Sequence, residues 1–166
     1  MIIRDEARSD IPAITTVTQA AFKDMSVSQQ TEAFIINALR NAGALTLSLV
    51  AEIEGDVKGH VAFSPVTLSD GTTEWYGLGP VSVLPQLQRQ GIGTALITLG
   101  LARLREQGAQ GCVLVGDPGY YERFGFVNSR TLTYPGAPRE FFLSLPFGPH
   151  QPKGHVVFHD GFQATS

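Results

Sequence analysis

The chain has 166 residues, 43% apolar and 16% charged, with 12 Lys and Arg against 15 Asp and Glu for a net charge of −3. One domain over residues 1–166 fits that length, with a core that needs no metal or disulfide staple, and the composition excludes a disordered, collagen-like or coiled-coil chain. Duplex nucleic-acid binding by phosphate neutralisation lacks its basic excess, no apolar run approaches the roughly 20 residues of a membrane span, and the single Cys112 with no secretory pattern at the N-terminus indicates the cytoplasm.

Ile2 and Ile3 read as a short first strand, and Ser9 or Asp10 as the cap of a helix whose first turn tolerates Pro12. Ile11, Ile14, Val17, Ala21 and Phe22 recur at helical spacing. A polar segment from Lys23 to Gln30 leads into a second helix, Thr31 to Asn41, closed by Gly43. From Leu45 the pattern turns to β. Thr46 to Ile53 and Val57 to Val66 flank the turn Glu54-Gly55-Asp56, and Ser69-Asp70-Gly71 joins a third strand, Thr73 to Leu84. Gly77, Gly79 and Pro80 are poor ladder residues, so a bulge or a break in pairing is expected there.

Gly91 to Gln107 reads as a helix buried on most sides and stopped by Gly108, followed by a strand from Cys112 to Val115. Tyr76 to Val115 is thus a strand, helix, strand crossover. A short helix from Tyr120 to Phe124 ends at Gly125, and Phe126 to Leu132 is extended. The Pro- and Gly-rich remainder holds strand-like runs at Glu140 to Leu145 and His155 to His159.

The chemistry-bearing stretch is Val81 to Leu96, where a strand enters a loop with two glycines spaced one apart and a helix begins. Exposed N–H groups at such a helix start suit a diphosphate, and Arg89 adds a charge-assisted contact. A dinucleotide fingerprint fails because its third glycine position is Leu96, and a P-loop fails because Gly93-Thr94 lacks the lysine.

Gln88-x-x-Gly91-x-Gly93 resembles the [RQ]-x-x-G-x-[GA] pyrophosphate motif of the GNAT superfamily of acyl-CoA-dependent N-acetyltransferases. Ile2-Ile3-Arg4 followed by Asp10-Ile11-Pro12-Ala13-Ile14 resembles its opening, and Tyr121-Glu122-Arg123-Phe124-Gly125-Phe126 its Tyr-x-x-x-Gly-Phe signature. The order of elements agrees from residue 1 to about 132. Gly116-Asp117-Pro118-Gly119-Tyr120-Tyr121 and the Pro-rich tail resemble the bacterial YhbS-like branch. One departure is Leu114, where many members carry an Asn that contacts the cofactor.

The resemblance implies an α/β fold with a mixed, centrally splayed sheet flanked by helices. It also implies acetyl-CoA in a cleft between the Tyr76 to Leu84 and Cys112 to Val115 strands. Backbone groups of Val81, Ser82 and Val83, freed by the Gly79-Pro80 irregularity, would bond the pantetheine, and Gln88, Arg89, Gln90, Gly91, Ile92, Gly93 and Thr94 would hold the diphosphate. A primary amine, on a small molecule or a protein, would attack the thioester directly, with Tyr121 as proton donor to the leaving thiolate. Glu52, His60, Glu74, Asp117 and Glu122 are candidate bases, and spacing does not choose among them.

Simpler readings stand beside these. Tyr121 as a packed aromatic, Tyr120 as packing and Arg89 as a solvated charge need no ligand. Cys112 in an apolar strand reads as an inert thiol. His155 and His159, roughly 13 Å apart along a strand, do not make a zinc pair, so no metal is expected. A non-catalytic acyl-CoA-sensing or partner-binding module and a nucleotide-binding enzyme are the competing functions. Lys23 to Gln30 and Tyr134 to Lys153 are the candidate acceptor-side segments, and exposure of Phe141, Phe142 or Phe158 would favour a homodimer.

Overall fold

A computed structural model describes residues 1–166. The chain folds in the order β1 (Ile2–Asp5), α1 (Ile11–Phe22), α2 (Glu32–Asn41), β2 (Leu47–Ile53), β3 (Asp56–Leu68), β4 (Trp75–Val83), α3 (Ile92–Glu106), β5 (Gly111–Val115), α4 (Pro118–Tyr121), β6 (Val127–Asn128), β7 (Leu132–Thr133), β8 (Phe142–Pro146) and β9 (Gly154–Phe158). The main sheet runs β1-β2-β3-β4-β5-β8-β6. β9 adds to the far end of β3, and β7 pairs with β9. It is a mixed sheet, because β4 and β5 are parallel across the α3 crossover while the β1 to β4 meander and the β5–β8 pair are antiparallel.

Strand alternation divides the side chains between two helical layers. Leu49, Ala51, Val61 and Phe63 join Leu96, Ile97, Leu101 and Leu104 of α3 in the largest core cluster. The intervening Val50 packs with Ile14 of α1 and Ile36 of α2 on the opposite face. Polar residues lie buried under α1 and α2 as well: Ser82 Oγ donates to Thr18 Oγ1 at 3.4 Å, and Ser48 Oγ lies 2.8 Å from His60 Nε2. Burial pushes the His60 imidazole down to about 4.

Three local expectations are corrected. Asp10 precedes α1 but turns its carboxylate back to Ala7 N–H at 2.6 Å and to Arg4 Nη1 at 2.7 Å, because the guanidinium outcompetes a helix cap. The Phe126 to Leu132 stretch is interrupted where Ser129 Oγ accepts the N–H groups of Thr131 and Leu132 at 3.1 and 2.9 Å, leaving only the short strands β6 and β7. The Glu140 to Leu145 run becomes extended only at Phe142, because a 3-10 turn follows Pro138. Of the three tail aromatics, Phe141 is exposed, but Phe142 is buried and Phe158 packs against Tyr134.

The sheet opens between β4 and β5, and this positions the site. Only Trp75, Tyr76 and Gly77 pair with Gly111, Cys112 and Val113; beyond them the two strands diverge. On its other edge β4 slips register against β3 between the Val61↔Val81 and Phe63↔Leu78 pairs, placing a bulge at Gly79-Pro80.

Candidate functional site

The cleft between the diverging strands has two continuous parts. A cavity of about 800 Å³ borders the start of α3 and is lined by Gln88, Arg89, Gly91, Ile92, Gly93, Thr94 and Tyr120. A second, of about 560 Å³, reaches past the bulge toward the ends of α1 and the chain. Both are lined by Val81, Val83, Gln88, Asp117, Tyr121 and Met25, which form the throat between them.

Along β4 the pairing with β3 decides which amides are free. Leu84 N–H donates to Lys58 C=O at 3.0 Å, and the same register places Ser82 in a hydrogen-bonded pair with His60. The main-chain groups of Ser82 therefore belong to the sheet, contrary to the expectation that they were free, and its hydroxyl is buried toward Thr18. The alternate residues Val81 and Val83 direct their N–H and C=O groups to the open edge. Gln88 Nε2 takes up the Val83 carbonyl at 3.0 Å and ties the loop to the strand.

The α3 start is a set of unpaired donors. Gly91 caps the helix at φ +88° and Arg89 also lies at φ +65°, so the chain turns sharply into the helix. The first backbone donor to find an acceptor is Ala95, bonded to Gly91 C=O at 3.0 Å. The six N–H groups from Arg89 to Thr94 have no partner in the chain. With the positive end of the helix dipole they make a donor array whose chemistry suits an anion. The Gln90 side chain lies outside both cavities and reaches Gln86 C=O at 3.5 Å, which leaves its main-chain N–H as its contribution.

Opposite these donors stands α4, whose Asp117 accepts Gly119 N–H at 3.0 Å. Tyr120 is a structural anchor: its hydroxyl lies 3.0 Å from Thr94 Oγ1 and the Arg123 guanidinium covers its ring at 4.3 Å. Tyr121 meets Tyr120 edge-on at 4.9 Å and packs near Phe126. Its ring fits because residue 116 is glycine, where an added Cβ would come within 2.5 Å of Tyr121 Cε2. Burial, reinforced by Tyr120, Cys112 and Asp117, pushes the Tyr121 phenol up to about 12, and no hydrogen bond within the chain contributes to that shift.

Four of the five candidate bases lie outside the cleft. Glu52 is held by Arg4 at 3.1 Å on the β1 side, and His60 is sealed in the core beside Ser48. Glu74 accepts from Tyr76 Oη at 3.1 Å before the splay, and Glu122 faces solvent. Asp117 alone lines the cavities. Glu32 on α2, which no sequence pattern had marked, lines the second cavity with its two oxygens 2.7 and 2.8 Å from Ser28 Oγ. Leu114, at the position of the missing Asn, is buried in the core and brings no polar atom to the cleft. Cys112 is fully buried, with its thiol pushed up by desolvation, and His155 is exposed while His159 bonds Gly161 N–H.

Comparison with known proteins gives this geometry relatives. Residues 13–126 match the model of the Acetyltransferase (GNAT) family. The uncharacterized N-acetyltransferase YhbS of Escherichia coli is 39% identical over 127 residues, covering 76% of this chain and 73% of that protein. A crystal structure of a GNAT family acetyltransferase from Brucella melitensis in complex with acetyl-CoA aligns with a TM-score of 0.87 at 52% identity, covering 97% of each chain. That of Escherichia coli YhbS in complex with CoA aligns at 0.88 and 32%, covering 99% of this chain and 93% of that one. The splayed sheet, the donor-rich start of α3 and these matches are one consistent set of observations, and the chain belongs to the GNAT acetyltransferase family.

Proposed function

We propose that the protein transfers acetyl from acetyl-CoA to a primary amine by direct attack, with the diphosphate on the Arg89 to Thr94 amides and the pantetheine along Val81 and Val83. The observation that carries this reading is the run of six unpaired N–H groups opening onto a throat where Tyr121 presents a phenol without a partner. The binding of acetyl-CoA and CoA by the two related structures supports the choice of donor.

The chemistry balances without a covalent enzyme intermediate. The neutral amine nitrogen attacks the thioester carbon, and the carbonyl oxygen gathers charge near the Val81 N–H. The amine sheds its proton to Asp117 or solvent. Collapse breaks the C–S bond, and Tyr121 donates a hydrogen bond to the departing thiolate. A lysine-type amine is neutral only about once in 2,500 at pH 7, a cost of roughly 4.6 kcal/mol, so such an acceptor must lose a proton before it attacks.

Calorimetry with coenzyme A and a thiol-release assay with acetyl-CoA and varied amines test the reading. Binding plus amine-dependent release is expected. Binding without release for any amine would instead leave a non-catalytic acyl-CoA-sensing module, and competition by ATP or NAD would point to a nucleotide enzyme. A homodimer and a cytoplasmic location remain part of the proposal, and sedimentation tests the first. No helix is long and apolar enough to cross a membrane.

A further inference from the structure

Beyond the throat, the second cavity has a chemical character of its own. One wall comes from Phe22, Met25 and Ile35, at the end of α1, the segment after it and α2. The rest of the lining is rich in aromatics: Tyr134 and Phe158 meet edge-on at 4.9 Å, and Phe162, packed against the Ile35 cluster of α2, lies 5.3 Å from Phe158. The only charged side chains bordering it are the carboxylates Glu32 and Asp117, with no Lys, Arg or His.

From this we infer that the acetyl acceptor is a primary amine carried on an apolar group of aromatic size, a conclusion that rests on the acetyl-transfer reading above. The two carboxylates attract an ammonium and repel an acceptor bearing its own carboxylate or phosphate, which finds no cation here. Ser28 brings one hydroxyl to Glu32, which leaves lone pairs of that carboxylate open to the ammonium. Sugar hydroxyls placed against the Phe158 and Phe162 rings would lose water without gaining hydrogen-bond partners there. An aryl or alkyl group there gains burial and edge-to-face contact. The volume, about 560 Å³ shared with the thioester end of the donor, suits a small molecule.

A thiol-release panel with acetyl-CoA tests this, using ethylamine, butylamine, hexylamine, 2-phenylethylamine, spermidine, L-lysine and a lysine-containing peptide. Expected is a rise in kcat/KM of up to about fourfold per methylene along the alkylamines, with 2-phenylethylamine at least about tenfold above L-lysine. Glu32→Gln raises KM for 2-phenylethylamine about tenfold while kcat changes less than about threefold. Phe162→Ala removes the advantage of 2-phenylethylamine over ethylamine. Unchanged calorimetric affinity for coenzyme A shows that both variants are folded. A flat chain-length series, or spermidine or the peptide turned over as well as 2-phenylethylamine, overturns this acceptor class while acetyl transfer stands. Coenzyme A binding with no release for any amine overturns the transfer reading and this one with it.

Discussion

Replacing Tyr121 by Phe separates two roles for the phenol, full proton transfer and hydrogen-bond donation. Its pKa is pushed up to about 12 by burial, whereas a thiol of the cysteine type lies near 8.5. Delivering the proton outright to a solution-like thiolate would therefore run uphill by about 3.5 units, or roughly 5 kcal/mol. A phenol so reluctant to ionise is instead a durable donor to the negative sulfur, and a hydrogen bond to a charged group contributes about 1.5–3 kcal/mol. Tyr121→Phe should then lower single-turnover transfer about 10- to 150-fold, short of the upper range of general acid catalysis. The melting temperature should hold, because the hydroxyl has no bond within the chain to lose.

The pH dependence follows with a definite sign. A donor with a raised pKa keeps its proton as pH rises, so the ratio of wild-type to variant rate should stay constant from pH 7 to 10 while both rates climb as the amine deprotonates. Stopped-flow mixing of the enzyme–acetyl-CoA complex with saturating amine measures this ratio. A loss below about threefold when chemistry limits the rate, or a ratio that collapses near pH 9, would refute the assignment.

Three further outcomes test the frame around that phenol. Gly91→Ala places a Cβ at φ +88° in open space, so its effect is conformational: about 1–2 kcal/mol of left-handed strain turns the donor array and weakens coenzyme A by roughly tenfold in calorimetry, and unchanged affinity would count against the array. Gly116→Ala drives a methyl into the Tyr121 ring, and kcat should drop with little change in coenzyme A affinity; a change in affinity alone would disconnect Gly116 from the catalytic group. His60 titrates from about 6.5 unfolded to about 4 folded, so its stabilisation is complete above pH 6.5 and is lost as pH falls toward 4. About 2 kcal/mol should disappear by pH 5, a range above that in which the lowered Glu6 carboxyl takes part. Urea unfolding of His60→Gln that shows the same loss from pH 7 to 5 would exclude His60 as its source.

The geometry of the candidate donor half was legible because it is built from backbone over short distances. Gly91 is required by a left-handed turn, and the glycines and proline of β4 mark where pairing fails, so residue type and spacing carry the geometry directly. Legibility stopped at strand parity. Whether Ser82 or its neighbours face the cleft depends on the register with β3, which the bulge at Gly79-Pro80 shifts, and no local pattern reports a long-range register. The candidate bases show the same limit: five acidic or imidazole groups looked alike in sequence, and tertiary placement alone removed Glu52 to Arg4 and His60 to the core.

The acceptor half was hidden for a reason that bears on how such a site diversifies. Its walls join Phe22, Met25 and Glu32 near the beginning of the chain to Tyr134, Phe158 and Phe162 near its end, and they meet where β9 pairs with the far end of β3 and the turn after β9 packs on α2. Each of these side chains reads in isolation as ordinary core or surface. Tyr134 and Gly136-Ala137 fall within a segment marked from sequence, as does Met25, but the aromatic wall is completed by residues that carry no motif. The proposed donor contacts are main-chain groups, so on that reading side chains around them can vary without loss of the cofactor. Acceptor contacts are side chains on chain segments that the sheet merely brings together, so specificity can change without disturbing the donor site. The preference for an apolar amine is thus encoded in the convergence of both chain ends, and exchanging the Tyr134 and Phe162 side chains should redirect it while coenzyme A affinity stays the same.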